Sequence, residues 1–190
     1  MRGPHSPQTP EGLQSLDSKQ DIKRFVVWMI FAVVIVLADQ ATKAAIIRWV
    51  PLYGDVPIND FINLTHQQNT GAAFSFLAGA GGWQRWFFII LASVVSAVLV
   101  AWLWRIRAGN LMVLAAGLTL VLGGALGNLV DRIRQGYVTD FIQVWFGSWA
   151  FPSFNVADSA ITVGAALLII DSLFLSGREK AAPQEEAPPD

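Results

Sequence analysis

The chain has 190 residues, of which 54% are hydrophobic and 14% are charged, with eight Trp and a net charge of −1. Soluble domains average about 45–50% apolar and about 25% charged residues, so this composition predicts a membrane protein. Nucleic acid binding calls for a basic face or stripe, and a net charge of −1 gives no indication of one. Because the chain contains no Cys, disulfides, thiolate zinc sites and cysteine nucleophiles are excluded.

The first elements are a polar tail and an apolar run. Residues 1–20 are rich in Pro, Gly, Ser and Gln, which predicts a disordered tail that buries too little apolar surface to fold. Residues 25–38 are apolar but short for a span, and they resemble the apolar part of a cleavable signal peptide. Since no turn former follows before Pro51, we expect the helix to continue through Asp39 and Lys43. The prediction is a first transmembrane helix of about 20 residues.

Residues 51–82 change in composition to Pro, Gly, Asn, Asp, Thr and Gln. Side chains alternate in residues 61–66 with a period of two, which predicts short strands. His66 stands alone there and is expected in a surface loop, because a metal site needs several converging ligands. Gly71 suits a turn that other residues resist. This segment predicts a small lobe, or cradle, lying outside the membrane and against it.

The remaining spans follow from hydropathy. Residues 86–104 are uncharged, are flanked by arginines and have Trp at both ends, which predicts a second span with an aromatic belt. Residues 111–130 predict a third span, whose glycines permit close helix packing. Residues 131–157 predict a second segment outside the membrane at its interface. A fourth span is predicted for residues 157–175, followed by a second disordered tail at 178–190.

The predicted fold is an all-α membrane protein with four transmembrane helices, a small extracytoplasmic β-rich cradle and a second interfacial loop or helix. The membrane domain covers residues 21–177. Four spans place both termini on one side of the membrane. Eight Lys and Arg lie in the termini and the 105–110 turn, against five on the other side. The positive-inside rule therefore predicts cytoplasmic termini, with both polar segments outside.

Three carboxylates lie between the third and fourth predicted spans, at Asp131, Asp140 and Asp158. Ionisable groups so near hydrocarbon indicate a functional site. At the end of a helix, Asp131 opposes the helix dipole, so we expect it to form an ion pair with Arg132 or another partner. Asp140 lies between apolar residues with no adjacent base, and desolvation should raise its pKa.

Two carboxylates that share a proton can activate a water and protonate a scissile amide. Asp140 with Asp158 is the best candidate dyad, although three acids offer three possible pairs. Asn155 and Asp158 are three residues apart at a helix start, so a capping box alone would account for both. Asp39 and Lys43 share one helix face and can pair, for either a structural or a functional role.

Five blocks of the sequence resemble the lipoprotein signal peptidases (signal peptidase II), in family order and over roughly residues 22–177. These blocks are DQATK at 39–43, NTGAAF at 69–74, GALGNLVDR at 124–132, VTDF at 138–141 and FNVADS at 154–159. The resemblance implies a four-span membrane aspartyl endopeptidase that removes the signal peptide from bacterial prolipoproteins. Cleavage is then expected just before a cysteine that carries a diacylglyceryl group.

The resemblance also implies the roles of individual residues. Asp140 and Asp158 fall on the catalytic aspartates. The residues expected to bind substrate or support the dyad are Asp39, Lys43, Asn69, Gly71, Asn128, Asp131, Arg132, Asn155 and Ala157. No metal or other cofactor is implied, and the expected partners are the lipid-modified precursor and membrane lipids.

We expect a monomer in the bacterial inner (cytoplasmic) membrane. A different class, a small proton-coupled carrier or channel subunit, would also bury acids among Gly-rich helices. Against it, the sequence shows no internal repeat of the kind on which many transporters are built.

Overall fold

The computed structural model describes residues 10–71, 82–109 and 111–175, with side chains described from residue 19 onward. Among these residues, four helices are long and apolar enough to cross a membrane, as predicted. They are α1 (Pro10–Trp49), α2 (Trp83–Ile106), α3 (Met112–Arg134) and α4 (Val156–Ile170), which continues as a π-helical turn, Asp171–Leu175.

Helix α1 is longer than the sequence analysis predicted. It has 40 residues and begins at Pro10, so the predicted disorder is wrong for residues 10–20. Proline suits the first position of a helix, because its missing N–H would have no partner there. The Leu, Gln, Lys and Arg residues that follow extend a helix that the membrane segment has already nucleated. The predictions for residues 1–9 and for the tail at 178–190 fall outside the described residues.

The strands form one antiparallel sheet in the order β1 (Asp55–Pro57), β2 (Ile62–Asn69), β3 (Val138–Phe146) and β4 (Trp149–Ala150). The strands predicted in the first polar segment are confirmed, although residues 72–81 of that segment lie outside the described part. The second polar segment is not a separate interfacial loop or helix, because β3 pairs with β2. Its β-branched and aromatic residues favour a half-buried strand.

A bulge in β2 changes the predicted position of His66. The β2–β3 register shifts between Leu64 and Gln67, and His66 lies in that interval with only 6% of its surface exposed. Its Nδ1 is 3.0 Å from the carbonyl oxygen of Val50 at the end of α1. The expectation of a surface loop histidine is therefore wrong, since this ring ties the sheet to the first helix.

Helix α3 is the centre of the bundle. In the most apolar stretch of α3, half of the residues are buried, against 11–17% in the corresponding stretches of the other three spans. Glycines allow this packing, as predicted: a Cβ on Gly164 of α4 would lie 2.8 Å from the carbonyl oxygen of Gly117 in α3. The outward faces of α1 and α2 carry exposed Val, Ile, Leu and Phe side chains, which suits contact with lipid. We call the end of the bundle that carries the sheet the sheet end.

Candidate active site

Asp140 lies in β3 at the sheet end, with 3% of its surface exposed. Its Oδ1 accepts a hydrogen bond from Nδ2 of Asn155 at 2.7 Å, and its Oδ2 accepts one from Nδ2 of Asn69 at 2.9 Å. Burial raises the pKa of Asp140 to about 6, the Asn69 hydrogen bond lowers it, and the negative charge of Asp158 raises it. The raised pKa expected from its apolar flanks is confirmed.

Asp158 occupies the first turn of α4 and is half-buried. Its Oδ1 accepts a hydrogen bond from Nδ2 of Asn128 in α3 at 2.8 Å. Its Oδ2 accepts one from the backbone N–H of Asn155 at 3.2 Å, and its own N–H donates to Oδ1 of Asn155 at 2.9 Å. The predicted capping box is confirmed.

Asn155 does more than cap the helix, because the same side chain joins the two acids. Its Oδ1 accepts from the backbone of Asp158 while its Nδ2 donates to Asp140, and no surface of the residue is exposed. Asn155 therefore both caps α4 and holds the two acids together, so the two interpretations of this residue do not exclude each other. Of the three possible acid pairs, this amide brings Asp140 and Asp158 together.

Asp131 has a different role, as an ion-pair partner of Lys43. The Lys43 ammonium lies 2.7 Å from Oδ2 of Asp131 and 2.7 Å from Oδ2 of Asp39, and all three side chains are almost fully buried. The predicted pairing of Asp39 with Lys43 is confirmed, and Asp131 is paired as expected but with Lys43. Two buried acids share one cation, so the cluster is held by opposite charges at close range.

Asn128 connects this ion cluster to the dyad. Its Oδ1 accepts from Lys43 Nζ at 3.0 Å and from Asn155 Nδ2 at 3.3 Å, which turns its Nδ2 towards Asp158. An amide has distinct donor and acceptor ends, so a cation on one end fixes what the other can donate. Lys43 thereby orients the donor that Asp158 uses.

Helix α4 is also anchored from α1. Oδ1 of Asp39 accepts the backbone N–H of Ala157 at 2.9 Å, which satisfies one of the free amides of the first helical turn. Ala157 has no exposed surface and directly precedes Asp158. The role of Ala157 is therefore that of a backbone anchor that sets the position of the neighbouring carboxylate.

Gly71 and Arg132 contact the dyad only indirectly. The N–H of Gly71 donates to Oδ1 of Asn69 at 2.8 Å, and its φ of +87° is one that L side chains rarely adopt. The guanidinium of Arg132 lies 4.7 Å from the ring centre of Phe88. It forms no ion pair with the acids among the described residues. Its negative neighbours are Asp158, Asp140 and Asp131.

Three contributors were missed by sequence reasoning. Gln40 donates to Oδ1 of Asp131 at 2.8 Å, and only its place inside the DQATK block could have indicated it. Arg85 of α2 donates to the carbonyl oxygens of Arg132 and Ile133 at the end of α3, at 2.9 and 2.7 Å. No sequence signal pointed to Arg85 or Phe88, because their partners lie in a distant helix.

A groove of about 520 Å³ opens beside Asp158. It lies between residues 151–154 and the first turns of α4, and Phe151, Phe154 and Val163 form part of its lining. Among the described residues, no group of three or more His, Asp or Glu side chains is arranged to hold a metal ion. The site thus offers two carboxylates in one hydrogen-bonded network beside a mainly apolar groove, which suits water-driven hydrolysis of a bond in an apolar substrate.

Comparisons with known proteins agree with this chemistry. The family model for signal peptidase (SPase) II matches residues 31–174. The lipoprotein signal peptidase of Photorhabdus laumondii is 48% identical over 153 residues, which cover 80% of this chain and 90% of that protein. The lipoprotein signal peptidase of Acinetobacter baylyi is 43% identical over 167 residues, covering 86% and 93%.

Solved structures of bacterial membrane enzymes share the fold. One, at 1.9 Å resolution, has a TM-score of 0.66 and 32% identity and covers 78% of this chain and 94% of its own. Another, at 2.3 Å, has a TM-score of 0.70 and 31% identity, covering 83% and 93%.

Proposed function

Because the chain belongs to the signal peptidase II family, it is a multi-pass membrane protease that removes signal peptides from prolipoproteins, and we propose that Asp140 and Asp158 catalyse the cleavage. The observation that carries this proposal is the Asn155 amide, which hydrogen-bonds to both residues of the pair. The carrier or channel alternative is not favoured, since the relatives are peptidases.

In the proposed reaction, ionised Asp158 takes a proton from a water molecule whose oxygen attacks the scissile carbonyl carbon. We assign the role of proton donor to Asp140, because burial raises its pKa to about 6 and so favours its protonated form relative to an exposed carboxyl. Asp140 gives its proton to the carbonyl oxygen as the tetrahedral intermediate forms. As the C–N bond breaks, the proton on Asp158 passes to the amine, and a hydroxyl of the intermediate returns a proton to Asp140.

The remaining polar residues support this dyad. Asn69 and Asn155 hold the two oxygens of Asp140, and Asn128 holds Asp158. Lys43 fixes Asn128 from behind. Positioned donors of this kind lower the barrier because no reorganisation is needed during the reaction.

We propose that the substrate carries a diacylglyceryl group on the cysteine after the cleaved bond, and that the groove beside Asp158 takes an acyl chain. Each methylene kept in apolar surroundings contributes about 0.8 kcal/mol. Acyl chains held in the groove or in the surrounding bilayer would anchor a precursor that its peptide alone binds weakly. Part of this binding free energy can then align the scissile bond.

We also propose that the enzyme acts as a monomer in the bacterial inner membrane, with residues 21–177 as its peptidase domain. The family model, which covers residues 31–174, supports these limits. The exposed apolar side chains of α1, α2 and α4 support direct contact with lipid.

The dyad is tested with purified protein and a diacylglyceryl-modified precursor peptide. Asp140→Asn and Asp158→Asn should each abolish the shortened product, and the double variant should be no worse than either, since residues that act as a unit are non-additive. Asp55→Asn, an exposed acid in β1, is the matched control and should cleave normally. EDTA should leave wild-type cleavage unchanged. Activity lost in EDTA and restored by zinc would overturn the proposal.

The lipid requirement needs its own substrate pair. The same precursor with an unmodified cysteine should lose most of its kcat/KM, and raising its concentration should not restore the rate. Val163→Trp narrows the groove and should impair cleavage of the modified precursor. Val33→Trp is its control, because Val33 on α1 is 52% exposed and Val163 is 53% exposed. Equal cleavage of both precursors would show that the lipid is not recognised.

A further inference from the structure

A second groove lies at the end of the bundle opposite the sheet, between α1, α2 and α3. It has a volume of about 250 Å³, and its lining includes the apolar side chains of Trp28 and Leu103. Three cationic residues, Lys23, Arg24 and Arg107, also line it. The proposed peptidase site uses none of these residues.

The three cations form no ion pair with any acid in the part of the chain that the structure describes. Within the described residues, both ion pairs are made by Lys43, so Lys23, Arg24 and Arg107 form none. The guanidinium of Arg107 lies 3.9 Å from the ring centre of Trp104, and its Nη1 donates to the Trp104 carbonyl oxygen. Its Nε is buried and has no hydrogen-bond partner among the described residues. Among the described residues, the groove therefore holds three positive charges that form no ion pair, and the guanidinium of Arg107 is held against the Trp104 ring.

The groove lies where the spans meet the membrane surface. The apolar run of α1 begins at Phe25, directly after Lys23 and Arg24, and the α2 span ends at Ile106. The groove residues of both helices are therefore within a few turns of these ends. Trp28 and Trp104 are aromatic residues of the kind that occupy the headgroup level. The volume of the groove, about 250 Å³, is below the roughly 300–1,000 Å³ of pockets that bind drug-sized ligands. It is thus suited to one headgroup with the beginning of its acyl chains.

We propose that this groove binds one anionic phospholipid, with the phosphodiester on Lys23, Arg24 and Arg107 and the start of an acyl chain against Trp28 and Leu103. Charge complementarity selects an anionic headgroup, and basic pockets between transmembrane helices bind such lipids. The apolar lining distinguishes a lipid from free phosphate, which would leave that surface uncovered. This site is separate from the peptidase chemistry at the sheet end.

The test compares three probes on the full-length chain in neutral detergent, with binding measured by native mass spectrometry. Phosphatidylglycerol should bind on the order of tenfold more tightly than phosphatidylcholine with the same acyl chains, since the groove offers several cations to the anionic headgroup. Inorganic phosphate should not bind detectably. The double variant Lys23→Gln/Arg24→Gln should weaken phosphatidylglycerol binding on the order of tenfold. Both residues are exposed, so the variant should keep the melting temperature of the lipid-free protein.

The matched control is Lys19→Gln/Arg105→Gln. It removes the same charge from the same end of the bundle, at exposed residues outside the lining, and should leave phosphatidylglycerol binding unchanged. An equal loss in the two double variants would mean diffuse attraction to a basic surface and would overturn the site. Equal affinity for the two lipids, or phosphate binding as tight as lipid binding, would overturn it as well.

Discussion

Asn69 allows the proton assignment of the dyad to be tested at a single residue. Its Nδ2 donates to Oδ2 of Asp140 at 2.9 Å, which favours the ionised carboxylate and so lowers its pKa. In Asn69→Ala this donor is lost while burial remains, so the pKa of Asp140 should rise further above its usual value. If Asp140 supplies a proton, only its protonated form is active, so kcat/KM decreases at high pH as Asp140 ionises. This high-pH limb should move to higher pH in the variant.

The measurement is a pH profile of kcat/KM for the wild type, Asn69→Ala and Gln68→Ala. Gln68 is the neighbouring amide of β2, and side chains alternate between the faces of a strand, so its variant should keep the wild-type profile. If Asp140 acts as the base instead, its ionised form is the active one, so the low-pH limb would move to higher pH in Asn69→Ala while the high-pH limb would stay in place. A variant that simply loses activity equally at all pH values would leave the limbs of the profile in place, so it would not be mistaken for the expected shift.

Lys43 predicts a stability effect of unusual size for one side chain. Lys43→Met leaves the buried carboxylates of Asp39 and Asp131 facing each other without their cation. Removing one partner of a buried ion pair typically costs about 3–5 kcal/mol, so the free energy of unfolding should fall by that order. Arg48→Met, at an exposed position of the same helix, should change it little. Denaturant titration in detergent measures both, and equal midpoints would contradict the prediction.

Individual residues were predictable where the chemistry is local. The apolar flanks of Asp140 indicated its raised pKa, and the spacing of Asn155 and Asp158 indicated the capping box. Local spacing did not indicate that Lys43 would pair with Asp131, because these residues lie on different helices that only the packing of α1 on α3 brings together. The resemblance to a family indicated which residues form the site. The structure shows the hydrogen bonds and ion pairs that join them.

At the scale of elements, the contact between α3 and α4 positions the dyad. A Cβ on Gly124 would overlap the carbonyl oxygen of Ala157 in the first turn of α4. Gly124→Ala should therefore push that turn away and displace the adjacent Asp158. Overpacking of this kind costs roughly 1–3 kcal/mol, and small displacements of a catalytic group can cost on the order of a hundredfold in rate.

We expect Gly124→Ala to lower kcat by at least about tenfold, with a smaller change in KM. Gly109→Ala is the matched control, since its Cβ would meet ordinary contacts at 3.4 Å or more, and it should retain activity and stability. Steady-state kinetics and thermal unfolding of both variants measure the effect. A Gly124→Ala enzyme with wild-type kcat would show that the first turn of α4 tolerates displacement.

Elements were predicted well where periodicity or hydropathy is strong. The spans appeared as uncharged apolar runs, although α1 extends back to Pro10 and α3 forward to Arg134. The pairing of β2 with β3 could not be predicted, because strands from distant parts of the chain show no mutual register in sequence. That pairing places Asn69 opposite Val138, two residues before Asp140. The sheet is thus part of the site and more than a cradle beside it.

In the whole molecule, the proposed peptidase site lies at the sheet end and the cationic groove lies at the opposite end. Asp39, Lys43, Asp131 and the dyad all lie at the sheet end of their helices or in the sheet. Lys23, Arg24 and Arg107 lie near the other end. This separation suits an enzyme that receives its substrate on one membrane surface only.

The orientation of the chain in the membrane is predicted from the distribution of its Lys and Arg residues. Four spans put both termini on the same side, and the eight-to-five excess of Lys and Arg in the termini and the 105–110 turn predicts that this side is cytoplasmic. Reporter fusions at Gly147, an exposed turn between β3 and β4, should therefore behave as extracytoplasmic. Fusions at Gly109, in the turn after α2, should behave as cytoplasmic. A cytoplasmic signal from Gly147 would place the dyad on the wrong surface for a substrate that has already crossed the membrane, and the proposed orientation would fail.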